Sequence, residues 1–434
     1  MSVHAHLSLN DLVDPRVGIV RRTWRLPRDR AEPAVPVIYQ AELCSFDYRT
    51  APEERAANGK GITESSAERG AIVEALERYC ASQPRTEALV FGAPDELDGP
   101  VIQPEELVLY SERQYETPGF PYRKAVEGEA RTWACATLLG SGQLVHAPAS
   151  LVYLGFAGHD KREVLAQMTT NGLAGGEDLP AAIVAALYEL VERDAFVITW
   201  LNRVTAPLIE FPDSAGTAAR IRRHYRRFGI ETLAFDLTTD VGIPVVMGIA
   251  VDRSGALPAA SVGLGCNLRP EVALDRALME VVQVRSGFLP RYRREPPTVR
   301  AYEDVHTVED HAALAARPEQ LGELDFLLDA PSARSLADIP ARGSDDVADE
   351  LDICRTHLEA AGCTVAYVDL TLPDLEPFDI RIVRAIATGL QPIHFGFAEE
   401  RLGGRRLYSV PRLIGACPDD TSEDDLNPCP HPLA

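Results

Sequence analysis

The hydrophobic pattern of this 434-residue chain changes between two periods along its length. Short apolar runs that favour β-strands recur, among them VPVIYQAEL, ETLAFDL, PVVMGIAV and TVAYVDLTL. Between them, apolar residues spaced three and four apart predict three long helices, at about Glu64 to Gln83, Pro180 to Asn202 and Pro270 to Gly287. Because strands and helices are interleaved, the sequence predicts an α+β fold in which helices pack on mixed sheets.

Each predicted helix carries two oxygen-bearing side chains three positions apart. The pairs are Glu74 with Glu77, Glu189 with Glu192, and Glu280 with Gln283. Residues at i and i+3 lie on one face of a helix, and such pairs can hold a hard cation such as magnesium. A solvated helix face, or ion pairs with the neighbouring Arg78, Arg193 and Arg285, would explain the same pattern.

In the second helix the apolar positions favour a buried site over a solvated face. Ala185 and Phe196 lie beside the two carboxylates, opposite a stripe that contains Leu187. A helix that is apolar nearly all round is buried, and buried carboxylates are costly unless they are paired or bind a cation. Structural ion pairs with the adjacent arginines remain the alternative explanation.

The charge balance excludes several classes of partner. The chain has 43 basic and 65 acidic residues, a net charge of −22, which argues against a general binder of nucleic acid or of anionic membranes. No apolar run reaches the ~20 residues of a membrane span, and no signal peptide is visible, so we expect a cytoplasmic protein. The eight cysteines form no CxxC pair, which predicts buried, reduced thiols and no cysteine metal site.

Glycine-rich segments precede the first two helices. NGKGIT contains Lys60 between two glycines, and TNGLAGGED contains Asn171. A glycine turn that leads into a helix N-terminus suits phosphate, although neither segment matches the P-loop pattern GxxxxGK[ST]. Beside three acidic helices, the two predicted turns indicate a site where magnesium ions held by carboxylates would neutralise phosphates.

At these residues the chain resembles the YcaO family of ATP-using peptide-modifying enzymes. The stretches that carry the resemblance are LVDPRVGIV (residues 12–20), GKGIT…EALERY, TNGLAGG…ALYELVERDAFVITW, GLGCNLRPEVALDRALMEVVQVR and VRAIATGLQPIHFG…RLGGRRLY. They cover essentially the whole chain. The resemblance therefore implies one YcaO-type ATP-binding domain over residues 1–416, in which we expect residues 290–350 to form a surface insertion.

The resemblance implies a role for each acidic pair and for the residues near it. The magnesium ligands would be Glu74, Glu77, Glu189, Glu192 and Glu280. The nucleotide contacts would be Lys60, Arg78, Asn171, Arg193, Gln283 and Arg285. One departure from the family is visible, because Gly70 stands where the family often has a serine, one turn before the first acidic pair. A hydroxyl contact is absent at that place.

The C-terminal residues 417–434 are acidic and then proline-rich, which predicts an extended tail. Pro428, Pro430 and Pro432 form a PxPxP pattern that favours a polyproline-like strand, with a disordered tail as the alternative. In azoline-forming members of the YcaO family such a tail enters the active site. The resemblance implies the same here, and the carboxylate of Ala434 is a candidate base.

The blocks and the tail together imply a cyclodehydratase that depends on ATP and magnesium. It would convert Cys, Ser or Thr of a ribosomally made precursor peptide into thiazoline or oxazoline by phosphorylating the backbone amide oxygen. We expect a separate leader-peptide-binding partner of the ubiquitin-activating-like type, because no such module is visible in the sequence. Oxidation to azoles would need a separate flavin dehydrogenase, and we expect a homodimer.

Two alternatives stay open. The first is another YcaO reaction that forms a thioamide or an amidine, against which the PxPxP tail counts. The second is a non-catalytic scaffold inside a modification complex, against which the buried carboxylates count.

Overall fold

The computed structural model describes residues 7–44, 56–156, 158–213, 216–329 and 332–433. The strands in these ranges are β1 (Val20–Arg25), β2 (Val37–Leu43), β3 (Ala56–Gly61), β4 (Leu89–Gly92), β5 (Arg131–Leu138), β6 (Leu144–Pro148), β7 (Leu173–Gly176), β8 (Leu208–Glu210), β9 (Glu231–Asp236), β10 (Val245–Val251), β11 (Ala260–Cys266), β12 (Ala333–Ser335), β13 (Val365–Asp369) and β14 (Arg381–Ala387). The helices are α1 (Glu64–Ala81), α2 (Glu112–Glu116), α3 (Leu179–Leu201), α4 (Gly216–Arg226), α5 (Pro270–Arg294), α6 (Val308–Ala315), α7 (Asp325–Leu328), α8 (Val347–Ala360) and α9 (Arg405–Leu413).

The described strands form three sheets. The first has the order β1-β2-β3, the second β11-β10-β9-β8-β12, and the third β4-β5-β13-β14-β7 with β6 on the side of β5. β12 runs parallel to β8, whereas β9, β10 and β11 pair in antiparallel register. This arrangement confirms the predicted α+β fold with mixed sheets.

Three long helices cover these sheets. α1 packs on the first sheet, α5 packs on β10 and β11, and α3 lies between β11 on one side and β14 and β7 on the other. β10 and β11 are buried at every position, which accounts for their uninterrupted apolar runs. The predicted burial of α3 is confirmed, because most of its residues from Ala182 to Leu201 are enclosed.

Most of the two glycine-rich segments lies in strands where the sequence predicted turns, although Asn171 and Gly172 do form a turn before β7. NGKG is the end of β3, and LAGG is β7. A Cβ atom on Gly59 would lie 2.0 Å from the carbonyl oxygen of Ala67, and one on Gly176 would lie 2.3 Å from the amide of Ala182. These glycines therefore allow β3 and β7 to pack directly against α1 and α3.

The third helix is longer than predicted. It continues past Gly287 and through Pro290 to Arg294. Proline removes one backbone hydrogen bond of a helix, but Leu289 and Tyr292 on the inner face are buried and keep this last part of α5 packed.

The segment 290–350, expected at the surface, lies partly inside the molecule. β12 extends the second sheet, and Val305 and Leu314 belong to a small apolar cluster with the end of α5. His311 on α6 is 1% exposed. The alternation of proline and charge in this segment concealed these buried positions.

The tail contains one short 3-10 turn at Glu423–Asp425 and otherwise no helix or strand over residues 417–433. Cys429 and Leu433 belong to the same hydrophobic core as α3. The described part of the tail is therefore extended, as predicted, and ordered by packing. Ala434 lies outside the described residues.

All eight cysteines have free thiols, and the predicted burial is confirmed for five of them and wrong for Cys44, Cys135 and Cys417, which are partly exposed. In the described part of the chain we find no helix that combines the length and the apolar character required to cross a bilayer.

We predict opposite effects for two glycine substitutions at the contact of β3 with α1. Gly59→Ala forces a Cβ into the backbone of α1 and should lower the free energy of unfolding by about 1–3 kcal/mol. At Gly70 a new Cβ would be 3.5 Å from the nearest atom, so Gly70→Ala should raise stability by about 0.5–1 kcal/mol. Urea denaturation of both variants measures the difference, and equal stabilities would contradict the packing role of Gly59.

Candidate functional site

The acidic faces of α1, α3 and α5 converge at one place, where neighbouring strands supply hydrogen-bond donors. The amide of Gly175 in β7 donates to Glu77 at 2.7 Å, and the amide of Asn58 in β3 donates to Glu74 at 3.1 Å. The Nζ atom of Lys60 donates to Oε2 of Glu280 at 2.6 Å. The strands that pack on the helices thus bring their backbone and Lys60 to the carboxylates.

The carboxylates are partly buried, and three of them, Glu77, Glu189 and Glu192, have raised pKa values. Burial, then repulsion by Glu74, raises the pKa of Glu77 well above its usual value. Burial raises the pKa of Glu189 to about 7, and Glu280 adds to the rise. Burial raises the pKa of Glu192 to about 7 as well, and both Glu280 and Glu189 contribute. The five predicted metal ligands therefore form one electrostatic cluster.

Lys60 and three arginines balance this charge. Arg78 donates from Nη2 to Glu74 at 3.0 Å. Arg193 lies 3.5 Å from Glu192 and 3.9 Å from Glu189. Burial lowers the pKa of Arg193, but the surrounding carboxylates raise it more. The third arginine is Arg384, described below.

Several buried polar atoms at the cluster have no hydrogen-bond partner within the described residues. They are Nη1 of Arg193, Nε of Arg78 and Oδ1 of Asn171. Buried donors without partners are costly, and the oxygens of a phosphate group are suitable acceptors for guanidinium donors. The residues present therefore fit a phosphate-bearing ligand.

The glutamates do not form a closed metal cage. Over the described ranges, no three His, Cys, Asp or Glu side chains are arranged to hold a bare metal ion. Magnesium in nucleotide sites is usually bound through one or two carboxylates together with substrate phosphates and water. A site that shares its magnesium with a nucleotide agrees with both observations.

One predicted nucleotide contact, Arg285, lies apart from the cluster. Arg285 is 2% exposed, and its Nε atom donates to Glu32 at 3.0 Å. Its Nη1 atom donates to the carbonyl of Pro258 at 2.8 Å, and its Nη2 atom faces Asp252. This enclosure does not agree with the predicted nucleotide contact, because five positions after Glu280 the side chain leaves α5 on another side. No hydrogen bond joins Gln283 to the described residues of the cluster.

Sequence reasoning missed Arg384 of β14. Its Nη1 atom donates to the carbonyls of Asn171 (2.6 Å) and Thr169 (3.0 Å), and its Nη2 atom is buried without a partner. Burial lowers the pKa of Arg384 to about 10, while Glu189 and Glu77 act in the opposite direction. The signal in the sequence was an arginine in the middle of the apolar run IRIVRAIA.

Asp194, the residue next to Arg193, fixes the rotation of α3 about its axis. The carboxylate of Asp194 accepts from Arg406 at 2.8 and 3.1 Å and from the amide of Gln391 at 2.7 Å. Asp194 is fully buried. Because this pair faces away from the cluster, it keeps Glu189, Glu192 and Arg193 pointing into it.

The tail also packs against α3, near Glu192. The ring of His431 lies 5.5 Å from that of Phe196, one helical turn after Glu192. In the PxPxP pattern, Pro428 is exposed whereas Pro430 and Pro432 are buried. The described part of the tail therefore passes beside Phe196, and its entry into the carboxylate cluster stays a prediction.

Comparison with known families agrees with this geometry. The sequence model of the YcaO family, described as an ATP- and Mg2+-binding cyclodehydratase, matches residues 58–391. An uncharacterized protein of Methanothermobacter thermautotrophicus is 31% identical over 365 residues, which are 81% of this chain and 85% of that protein.

Two solved structures share the fold. A heterocyclase in complex with substrate and cofactor has a TM-score of 0.84 at 25% identity, over 98% of this chain and 56% of that chain. A YcaO protein from Methanopyrus kandleri bound with AMPPCP and Mg2+ has a TM-score of 0.63 at 25% identity, over 86% of both chains. This chain therefore spans little more than half the length of the heterocyclase.

We predict that the cluster makes stability depend on pH. The pKa of Glu192 is about 7 in the folded protein against a usual 4.5, so its contribution is complete below pH 4.5 and is lost as pH rises through 7. Between pH 5 and pH 8 the free energy of unfolding of the wild type should therefore fall by on the order of 2 kcal/mol more than that of Glu192→Gln.

Urea denaturation without metal or nucleotide measures this difference. Glu271→Gln, an exposed glutamate on the same α5 that carries Glu280, is the control and should behave as the wild type does. If Glu192→Gln and the wild type lose stability in parallel as pH rises, then the pKa of Glu192 is not raised in the folded protein.

Proposed function

Because the chain belongs to the YcaO family, we propose that it is a cyclodehydratase that acts on a ribosomally made precursor peptide. ATP and Mg2+ are the cofactors of the family. The proposed reaction converts a Cys, Ser or Thr residue and the preceding amide into thiazoline or oxazoline. ATP supplies the phosphoryl group that leaves with the amide oxygen, so that the dehydration is driven by phosphate release.

One observation carries the proposal. Five partly buried glutamates from three helices share a site with Lys60 and three arginines, and each of these arginines, Arg78, Arg193 and Arg384, has a buried donor atom without a hydrogen-bond partner among the described residues. Such a cluster is costly for a protein without ligand, because it leaves both carboxylates and guanidinium groups partly unsatisfied. A non-catalytic scaffold would gain nothing that offsets this loss of stability.

We assign roles to the residues of the cluster accordingly. Glu74, Glu77, Glu189, Glu192 and Glu280 hold or orient magnesium. Lys60, Arg78 and Arg193 contact phosphates directly, and Asn171 contacts the nucleotide beside them. Arg384 donates a hydrogen bond to the backbone carbonyl of Asn171 and so holds the loop that contains this residue. Arg285 has a structural role in this assignment, because its donors are already occupied.

The tail supplies the second half of the site. Pro428, Pro430 and Pro432 restrict the backbone to an extended form, which brings the end of the chain along α3 with little loss of conformational entropy. The substrate thiol or hydroxyl must lose a proton as it attacks the amide carbon. We propose the carboxylate of Ala434 as the group that accepts it.

The remaining partners belong to the same proposal. The precursor peptide is the substrate, a separate leader-peptide-binding protein of the ubiquitin-activating-like type presents it, and a separate flavin dehydrogenase would make azoles. We propose that the protein acts in the cytoplasm as a homodimer, without nucleic acid or membrane partners. The solved heterocyclase, of which this chain spans 56%, has a substrate in its complex.

We predict ATP-dependent ring formation from the purified protein. With Mg2+, a candidate precursor peptide and its leader-binding partner, each released phosphate should match the loss of one water from the peptide by mass spectrometry. Glu192→Ala should abolish both, because Glu192 is part of the carboxylate cluster. Glu271→Ala, a change at an exposed glutamate of α5, should leave both unchanged.

The same experiment separates the alternatives. Replacement of oxygen by sulfur in the presence of a sulfur donor would indicate a thioamide-forming enzyme. Absence of nucleotide binding, phosphate release and mass change would favour the scaffold. Phosphate release that Glu192→Ala does not affect would overturn the assignment of the cluster.

A further prediction concerns Ala434. Extension of the C-terminus by three residues moves the carboxylate away from its position and should lower the rate of ring formation by about 100-fold or more, since general bases typically contribute 10²–10⁴-fold. The binding of ATP, measured by calorimetry, should change little. Unchanged ring formation would rule out the terminal carboxylate as the base.

A further inference from the structure

The tail runs along α3 in the direction opposite to the helix. Its successive contacts are Asn427 with Leu201, Cys429 with Trp200, and His431 with Phe196. The first two are hydrogen bonds of 2.6 and 2.7 Å. Since Glu192 lies one turn beyond Phe196, the tail approaches the carboxylate cluster as it proceeds.

At His431, the tail is also held by contacts from elements other than α3. The ring of His311, on α6, stacks on the ring of His431 at 4.1 Å with an interplanar angle of 23°. The Nδ1–H group of His311 donates to the backbone carbonyl of His431 at 2.7 Å, and its Nε2 atom accepts from the amide of Gly396 at 2.9 Å. His431 in turn donates from Nε2 to the carbonyl of His394 at 2.6 Å.

These bonds require neutral rings with fixed tautomers. His311 must carry its proton on Nδ1, because Nε2 is an acceptor, and His431 must carry its proton on Nε2. Burial lowers the pKa of His311 to about 4, against the weaker influence of Asp310. Burial, His311, His394 and Arg193 lower the pKa of His431. At neutral pH both tautomers are therefore maintained.

The contacts join three elements that are distant in sequence. His311 holds the backbone of the tail, and the ring of His431 holds the loop that follows β14. A local hydrogen bond from Sγ of Cys429 to the carbonyl of Pro430, at 3.5 Å, also lies in this part of the tail, but it joins the tail only to itself, whereas His311 joins it to α6. Without His311, the tail could shift along α3, and the buried residues Pro432 and Leu433 would move with it.

We propose that His311 is a positioning residue for the reaction, which sets how far the tail extends toward the carboxylate cluster. This inference rests on the proposed function, since it concerns the place of the tail in ring formation. Binding of the nucleotide does not depend on it, because the cluster is built from α1, α3, α5, β3 and β7. A change at His311 should thus affect the rate of ring formation and not the affinity for ATP.

Two variants of His311 separate the effect of its hydrogen bond from the effect of its stacked ring. His311→Phe keeps a stacked ring without the donor and should lower kcat for ring formation by about 10- to 100-fold, because small displacements of reacting groups have effects of this size. KM for ATP should stay within about twofold. His311→Asn keeps a donor at the place of Nδ1 and should restore kcat to within about threefold of the wild type.

The chain offers a matched control. His357 on α8 also donates from Nδ1 to a backbone carbonyl, that of Val241 at 2.7 Å, which is not part of the tail. His357→Phe should cost a similar amount of stability and leave kcat unchanged. If His311→Phe lowers kcat no more than His357→Phe does, then His311 is only structural and the proposal is overturned.

A spectroscopic measurement on the wild type keeps the proposal testable if His311→Phe does not fold. In ¹⁵N-histidine NMR spectra at pH 7, His311 should carry its proton on Nδ1 and His431 on Nε2. A proton on Nε2 of His311 would overturn the proposal. If the wild type forms no rings at all, the proposed function fails instead, and these tautomers are unaffected by that result.

Discussion

The structure depends on the burial of like charges where α1, α3 and α5 meet. Repulsion among the glutamates and loss of solvent raise the pKa values of Glu77, Glu189 and Glu192. Only close cations and backbone donors make the arrangement tolerable, so nearly every neighbouring element supplies one of them. β3 provides Lys60, β7 provides the amide of Gly175, and β14 provides Arg384.

Close packing of strands on helices follows from the same requirement. A lysine or a backbone amide can reach a carboxylate only if its strand lies directly on the helix, and a side chain between the two would separate them. Gly59 and Gly176 remove that side chain where β3 meets α1 and where β7 meets α3. The glycines thus allow the donors on β3 and β7 to reach the carboxylates by close packing of strand on helix.

The other face of α3 explains how the cluster and the tail keep a common geometry. Asp194 and Arg406 form a buried ion pair that fixes the helix against α9. Along the same helix, Trp200 and Phe196 hold the tail, and His311 holds it from the opposite side. One helix therefore positions Glu189, Glu192, Arg193 and the C-terminal residues relative to one another.

The sequence by itself determined the elements and the chemistry of the site. Hydrophobic periodicity is a local property, so it predicted α1 and α3 to within two residues and the buried character of the face with Glu189 and Glu192. The spacing of three between the glutamates follows from the geometry of any helix, and the family blocks supplied their roles. The proline pattern was enough to predict an extended tail, since proline restricts the backbone wherever it occurs.

Only the tertiary structure decided which partner each of these residues has. Arg285 follows an acidic pair just as Arg78 and Arg193 do, yet its guanidinium group binds Glu32, 253 positions earlier in the chain. The apolar run around Arg384 marked that residue as unusual, but the partners of Arg384 and of His311 come from distant segments, namely β7, α3 and the tail. Such pairings depend on how sheets and helices are placed in space, and periodicity along the chain contains no information about contacts between distant segments.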